Sequence, residues 1–353
     1  MIGTEPTTAY LFCHFTGTER KWTDEQLYFA VSRDGLHWTD LRPDGTPALV
    51  SDIGERGVRD PYLVRDPRDG RIWLLATDLS IYHRGGDWPT SHAQENGSTN
   101  LLVWSSMDLA HWEGPWPLDV ASRIPQAGMA WAPEAVWDDE HQCFIVFWAT
   151  ASGEDNELGR LENAYYATTT DFRTASDPVK WIDRERACFD ASMLHVGDWW
   201  YRASSGDGKI HIDRARNPYA ISIVPTFEDE PAVGTTDGSV WEYVGTVNQA
   251  FDDFNAVCGG ALGSDSLEGP ELFLFNDKDA ALPGRQRMPF GLMGDRHATK
   301  NGYIAFRTAN LSSMEPSDWS AADIDFGVLK KRHGTILPIT ETEYQAVCAA
   351  FQI

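Results

Sequence analysis

The stretch Ser266-Leu267-Glu268-Gly269-Pro270-Glu271-Leu272-Phe273 sets a carboxylate on a Gly-Pro corner, directly ahead of an apolar run. The same device recurs along the chain. Asp60 stands in V-R-D-P-Y (58–62), Asp190 in F-D-A-S-M (189–193), Trp131 and Glu134 in W-A-P-E (131–134), and His333 in R-H-G-T (332–335). Carboxyls that share one site repel each other, so at least one of them holds its proton toward neutral pH. A protonated carboxyl beside an ionised one is a general acid beside a general base. Two such groups about 6.5–9.5 Å apart leave room for a water and hydrolyse a glycosidic bond with inversion.

Each residue also has a plainer use. Asp-Pro is a common turn pair, and Asp190 could cap a strand end. Glu268 competes with Glu271, but alternation along a strand keeps Glu271 off the mouth. Glu134 is either a partner for substrate hydroxyls or a polar strand start. Trp131 either packs a rim or stacks on a sugar. Arg296 is a candidate clamp for hydroxyls, and His333 is either a satisfied core histidine or a metal ligand.

These residues need a scaffold that gathers them, and strand signals dominate the chain. Ala9–Phe15, Gln26–Ser32, Arg71–Thr77, Leu101–Ser105, Phe144–Thr150, Ala164–Thr168, Trp199–Ala203 and Gly302–Thr308 are short runs rich in aromatic and aliphatic residues. The turn sequence Ser32-Arg33-Asp34-Gly35-Leu36-His37-Trp38 is echoed by Ser106-Met107-Asp108-Leu109-Ala110-His111-Trp112, and again around Asp171-Phe172. A diverged unit of roughly 50–80 residues with about four strands is the signature of a β-propeller. Asp60, Trp131, Asp190, Glu268 and His333 open five such units. The last opener has no strands after it, while the N-terminus has strands with no opener. Joining the two completes a blade and removes two exposed sheet edges.

The expected fold is therefore all-β, a five-bladed β-propeller over residues 1–353 as one domain, closed by pairing the C-terminal inner strand with N-terminal strands. Helix is expected at Glu341–Phe351, with Thr340 and Glu343 as a capping pair. In a propeller the first strand of each blade lines the central channel, so all five openers share one mouth. The loops Thr16–Glu25, Ser80–Asn100, Ala151–Asn163, Ser204–Lys209 and Asp295–Asn301 should wall it. They would bring Trp22, Trp88, Asp207, Arg296 and His297 to the rim.

Composition narrows the partners. A net charge of −24 repels nucleic acid and anionic membrane surfaces, which leaves a neutral oligosaccharide or polysaccharide as the expected substrate. Fifteen Trp residues suit sugar stacking. The five Cys residues are widely spaced without a C-x-x-C pair, so reduced thiols are expected. The first residues lack a basic start and a long apolar run, so a cytoplasmic location is expected, or secretion if a leader has been removed.

The ordered set V-R-D-P-Y, W-A-P-E, F-D-A-S-M, L-E-G-P-E-L-F and R-H-G-T resembles glycoside hydrolase family 43 from about residue 9 to 340. That resemblance implies a five-bladed propeller enzyme acting on arabinofuranosides, xylosides or galactans. It implies Asp60 as general base, Asp190 as the residue that orients the acid and raises its pKa, and Glu268 as general acid. It suggests His333 under the site, with a metal or a water, and so a structural Ca²⁺ in the channel. No cofactor is otherwise required. The sequence departs from the family at Glu134, where Asp is usual, and at Phe189-Asp190-Ala191, where I-D-P is usual. About fifty residues also precede the D-P motif here. Family β-xylosidases often carry a further C-terminal sandwich, which tilts the expectation toward a terminal α-L-arabinofuranosyl unit. β-Xylosidase, galactan- or galactofuranoside-directed hydrolase and a non-catalytic sugar-binding propeller are the alternatives. A β-fructosidase relative would need W-M-N-D-P and E-C motifs, which are absent from the sequence. Substrate choice is expected in loops Ser80–Asn100, Ala151–Asn163 and Pro225–Asn255.

Overall fold

The computed structural model describes residues 5–152, 161–183, 187–223, 239–281 and 286–353. The first strands are β1 (Thr7–Phe15), β2 (Tyr28–Ser32) and β3 (Trp38–Asp40). Four follow as β4 (Val58–Arg65), β5 (Ile72–Asp78), β6 (Asn100–Ser106) and β7 (Glu113–Asp119). The next blade is β8 (Trp131–Asp138), β9 (Cys143–Ser152), β10 (Leu161–Thr169) and β11 (Val179–Asp183). Then come β12 (Phe189–Val196), β13 (Trp199–Gly206), β14 (Lys209–Ala215), β15 (Ser222–Ile223) and β16 (Glu242–Thr246). The chain finishes with β17 (Glu268–Leu274), β18 (Phe290–Asp295), β19 (Tyr303–Thr308), β20 (Trp319–Ala321) and β21 (Arg332–Thr340).

These strands form five sheets, ordered β21-β1-β2-β3, β4-β5-β6-β7, β8-β9-β10-β11-β15, β12-β13-β14-β16 and β17-β18-β19-β20. The inner strands β4, β8, β12, β17 and β21 adjoin one another in a ring, which makes the molecule a five-bladed propeller. Closure is as expected, with β21 antiparallel to β1 through pairs such as Leu337 with Leu11 and Ile336 with Phe12. The helix Glu341–Phe351 carries the expected capping box between Thr340 and Glu343.

Two expectations needed adjustment. β3 supplies a fourth strand that three residues were too short to signal. The loop expected at Ser204–Lys209 is instead a tight hairpin, because β13 runs to Gly206 and β14 starts at Lys209. Asp207 and Gly208 turn the chain there with φ of +52° and +72°, the backbone of a two-residue β-hairpin. The echoed turn sequences are explained locally. Asp34 Oδ1 accepts from the Leu36 and His37 N–H groups at 2.9 and 2.8 Å, and Asp108 Oδ1 accepts from Ala110 and His111 at 3.0 and 2.8 Å. Asp171 Oδ1 does the same for Arg173 at 2.9 Å. Each is an Asx turn between the third and fourth strands of a blade.

The feature that shapes the site is a bulge at one register in every inner strand. Pairing with the second strand skips two residues between Arg59 and Tyr62, Trp131 and Glu134, Phe189 and Ser192, and Glu268 and Glu271. In β21 the skipped pair lies between Arg332 and Thr335. Two residues facing one is a β-bulge, which bends the strand and re-aims its side chains. The first bulge residue is left-handed at Asp60, Ala132, Asp190 and Gly269, with φ of +48°, +50°, +50° and +55°. For a residue with a Cβ this costs on the order of 1 kcal/mol.

The bulge also corrects the alignment of the openers. Asp60, Asp190 and His333 occupy equivalent positions, whereas Trp131 and Glu268 sit one residue earlier, level with Arg59, Phe189 and Arg332. Tyr62, Glu134, Ser192, Glu271 and Thr335 form a tier below.

Candidate active site

A pocket of about 410 Å³ opens where the five bulges meet. Asp60, Asp190, Glu268 and His333 all line it, with Trp131 on one wall. Asp60 and Asp190 are themselves the left-handed bulge residues, and Glu268 stands directly before the left-handed Gly269. Four segments from 60 to 333 thus place side chains in one mouth.

His333 ties two of the carboxylates together. Its Nδ1 lies 3.4 Å from Asp60 Oδ1 and 3.9 Å from Asp190 Oδ2. Burial disfavours the imidazolium, but Asp190 and Asp60 outweigh it and raise the His333 pKa to about 9. Burial likewise pushes Asp60 up, yet the His333 cation, Arg59 and the Thr77 hydroxyl, whose Oγ1 donates at 2.9 Å, bring it below the usual Asp range. Asp190 goes the other way. Burial and the Asp60 charge hold it at about 6, against the pull of His333 and of the Gly269 N–H, which donates at 3.1 Å.

Glu268 is pushed well above the ordinary Glu range by burial, then by the charges of Asp190 and Asp295, with Arg332 and His333 opposing. Arg332 Nη2 donates to Glu268 Oε1 at 3.2 Å while its Nε donates to Asp295 Oδ2 at 2.6 Å. Burial is the largest influence on all three carboxyls, larger than the mutual repulsion anticipated from sequence.

The remaining candidates separate. Trp131 is half-buried against Leu79, Ile81 and Ala93 and meets Trp88 edge-to-face at 5.9 Å. Trp88 and His297 line the pocket, whereas Trp22 and Asp207 do not. Arg296 was expected to clamp hydroxyls, but it does not line the pocket. Its guanidinium donates to the carbonyls of Gly302, Cys258, Asn301 and Tyr303. Those four bonds staple a loop, so the positive charge is spent on backbone.

Glu134 is also away from the pocket, on the lower tier and 3 % exposed. Its Oε2 accepts the Met193 N–H of the next blade at 3.3 Å. At the equivalent position Ser192 Oγ accepts from Leu272 N–H at 2.9 Å, and Glu271 Oε1 from Ile336 N–H at 2.8 Å. Each inner strand is the edge of its sheet, so the N–H groups that point away from the second strand have no partner there, and side chains of the preceding blade satisfy these three. Glu134 and Glu271 are therefore stitches between blades. They also bond each other, with Glu134 holding the proton. Burial and the neighbouring carboxylate push Glu134 well above the Glu range, while burial holds Glu271 at about 7.

Among the described residues no group of three or more His, Cys, Asp or Glu is arranged to hold a metal ion. His333 Nδ1 faces Asp60 and Asp190 within 3.9 Å and its pKa is raised to about 9, so it stands there as a cation paired with carboxylates. A protonated His333 does not fit the role of metal ligand expected for it.

Several pocket residues escaped the sequence reading. Arg59 packs over Phe15 and Trp88 at 4.6 and 5.0 Å and is paired with Glu25 at 2.9 Å and Glu19 at 3.1 Å. Glu162, which accepts from Gln94 Nε2 at 2.7 Å, is raised to about 7 by burial and the Asp190 charge. Arg59 and Arg332 could have been found, since each precedes its opener by one residue, the position Glu268 holds in its own blade. Glu162 had no such signal. Within the expected specificity loops, residues 153–160 and 225–238 lie outside the described residues. No helix among the described residues is long and apolar enough to cross a membrane.

Comparison with known proteins gives the same frame. A family profile described as "Probable glycosyl hydrolase domain", of the glycosyl hydrolase 43-related type, matches residues 5–345. An α-L-arabinofuranosidase of Bifidobacterium longum subsp. longum is 27 % identical over 347 residues, covering 89 % of this chain. The chain spans only 29 % of that relative's length. The solved structure of an exo-1,5-α-L-arabinanase from a bovine ruminal metagenomic library superposes with a TM-score of 0.52 at 11 % identity. That superposition covers 87 % of this chain and 92 % of the other, and at such identity it speaks for the fold alone.

Proposed function

The chain belongs to the glycosyl hydrolase 43-related family, and from that premise we propose that it is an inverting glycoside hydrolase releasing a terminal α-L-arabinofuranosyl unit. The observation that carries this reading is the split between Asp60 and Glu268. They line one pocket, and their surroundings hold Asp60 ionised and Glu268 protonated.

Asp60 takes a proton from a water as that water attacks the anomeric carbon. The glycosidic C–O bond breaks with its electron pair moving onto the leaving oxygen, and Glu268 passes its proton to that oxygen. Asp190 acts on the acid in two ways. Its charge helps keep the Glu268 proton in place, and it accepts the N–H of the next residue, Gly269. The His333 cation keeps Asp60 ionised. Trp131, Trp88 and Phe15 supply apolar walls for a sugar ring. The arabinose assignment is supported by the Bifidobacterium relative.

The test has two arms. Turnover of arabinofuranoside, xyloside and galactoside reporters, with NMR of the first-formed anomer, reads the sugar and the stereochemistry. Asp60→Asn and Glu268→Gln read the roles. Turnover remaining within about tenfold of wild type in either variant would overturn the assignment, since general acid–base groups contribute about 10²–10⁴-fold.

A further inference from the structure

We propose that His297 is a positioning residue for the Glu268 proton, fixing on Oε2 the direction in which it points before transfer. This inference rests on Glu268 being the proton donor.

The two oxygens of Glu268 have different surroundings. Oε1 accepts from Arg332 Nη2 at 3.2 Å, so Oε1 is the carbonyl-like oxygen and the acidic proton resides on Oε2. The ionisable group beside Oε2 is His297, with Nδ1 at 3.6 Å. That nitrogen is shut away from solvent and has no hydrogen-bond partner. A buried, unpaired imidazole nitrogen is a cost that a fold does not normally carry. At 3.6 Å the contact is too long for a hydrogen bond, and a small turn of the Glu268 carboxyl closes it. The rest of the ring is accessible, since the His297 side chain is 35 % exposed. One nitrogen therefore faces the acid from inside while the ring edge reaches the pocket.

The surroundings keep the ring neutral. Burial and Arg332 lower the His297 pKa, with Asp295 opposing. Lys300 follows it in the same 3₁₀ turn and also lines the pocket. A neutral Nδ1 can accept from Oε2–H in the resting state and fix which way the proton points. After transfer the leaving oxygen has the proton and Glu268 is a carboxylate. Glu268 then takes its next proton from solvent through the open pocket, and the incoming proton is again held on Oε2 by His297 Nδ1. The net change is one proton moved from water to Glu268.

The experiment compares leaving groups. Wild type, Glu268→Gln, His297→Ala and His297→Gln are each assayed on 2,4-dinitrophenyl and methyl α-L-arabinofuranoside, with thermal melts as the folding control. The dinitrophenolate leaves without a proton, whereas the methoxide needs one. His297→Ala is expected to lose about 10–100-fold in kcat on the methyl glycoside and less than about threefold on the dinitrophenyl one. Added imidazole should restore part of the loss, and the alkaline limb of the pH profile should move down. Equal losses on both glycosides, or none on either, would overturn the His297 proposal. If Glu268→Gln itself shows no leaving-group dependence, the fault lies in the proton-donor reading instead. His297→Gln keeps the side-chain size and an amide oxygen that can accept Oε2–H, so it should recover most of the His297→Ala loss, and a loss equal to that of His297→Ala overturns the positioning role.

Discussion

The mouth of the channel and the tier beneath it use the same parts to opposite ends. At the mouth Asp60, Asp190 and Glu268 face a pocket, and their surroundings divide them into an ionised Asp60, an Asp190 held at about 6 and a protonated Glu268. One tier down Glu134 and Glu271 are 3 and 2 % exposed, and they share a proton. Their remaining oxygen capacity goes to backbone N–H groups of the next blade. The residues that differ in role are only two or three positions apart on the same strands. What separates them is access to the pocket and a cation close enough to stabilise one charge selectively. A carboxylate pair without either becomes structure.

Substitutions can break or sharpen that contrast. The largest effect belongs to the mouth. Asp60→Asn and Glu268→Gln should each lower kcat by about 10³-fold. The kcat/KM profile of wild type should fall on the acid side as Asp60 takes up a proton, below the usual Asp range, and on the alkaline side as Glu268 loses its own. Asp60→Asn should erase the first limb and Glu268→Gln the second.

Gly269→Ala tests the bulge that joins the tiers. Its φ is +55°, and an added Cβ would stand 2.8 Å from His333 Cγ. Unfolding in urea should show a loss of at least about 1 kcal/mol. kcat should fall about tenfold as His333 is pushed off Asp60. Arg296→Met removes four bonds to backbone carbonyls, so the melt should register about 1–2 kcal/mol while KM stays within about twofold.

Glu134→Gln has the smallest and most telling effect. Glu134 and Glu271 both have raised pKa values in the folded state, so the native protein binds more protons than the unfolded chain. Stability is therefore full below the ordinary Glu range and is lost as pH rises through the folded value of Glu271, about 7. Glutamine still accepts the Met193 N–H and donates to Glu271, with no proton to lose. At pH 8 the variant should melt on the order of 2 °C above wild type, and at pH 5 the two should coincide. A tenfold drop in kcat would move Glu134 into the catalytic machinery and dissolve the contrast.

Much of the scaffold was legible because its signals are local. Short aromatic strands, Asx turns at Asp34, Asp108 and Asp171, and the Thr340–Glu343 cap each depend on residues a few positions apart. Even the closure of the ring could be read, since unmatched ends leave sheet edges that must pair. β3 escaped because its three residues, Trp38–Asp40, are too few to show alternation. Arg296 was misassigned because a cation in a rim loop looks the same in sequence whether it meets a hydroxyl or four carbonyls.

What the chain alone determined is that Asp60, Asp190, Glu268 and His333 stand at the heads of inner strands, because strand periodicity and blade count require it. Tertiary structure decided the rest. A bulge shifts each side chain relative to its strand, and only the five bulges together show that Glu268 lies one residue ahead of its counterparts. Proton affinity is set by burial and by charges from other blades, which no local pattern encodes. That is why Glu268 and Glu271, three residues apart and both raised in pKa, end as a candidate proton donor and a stitch.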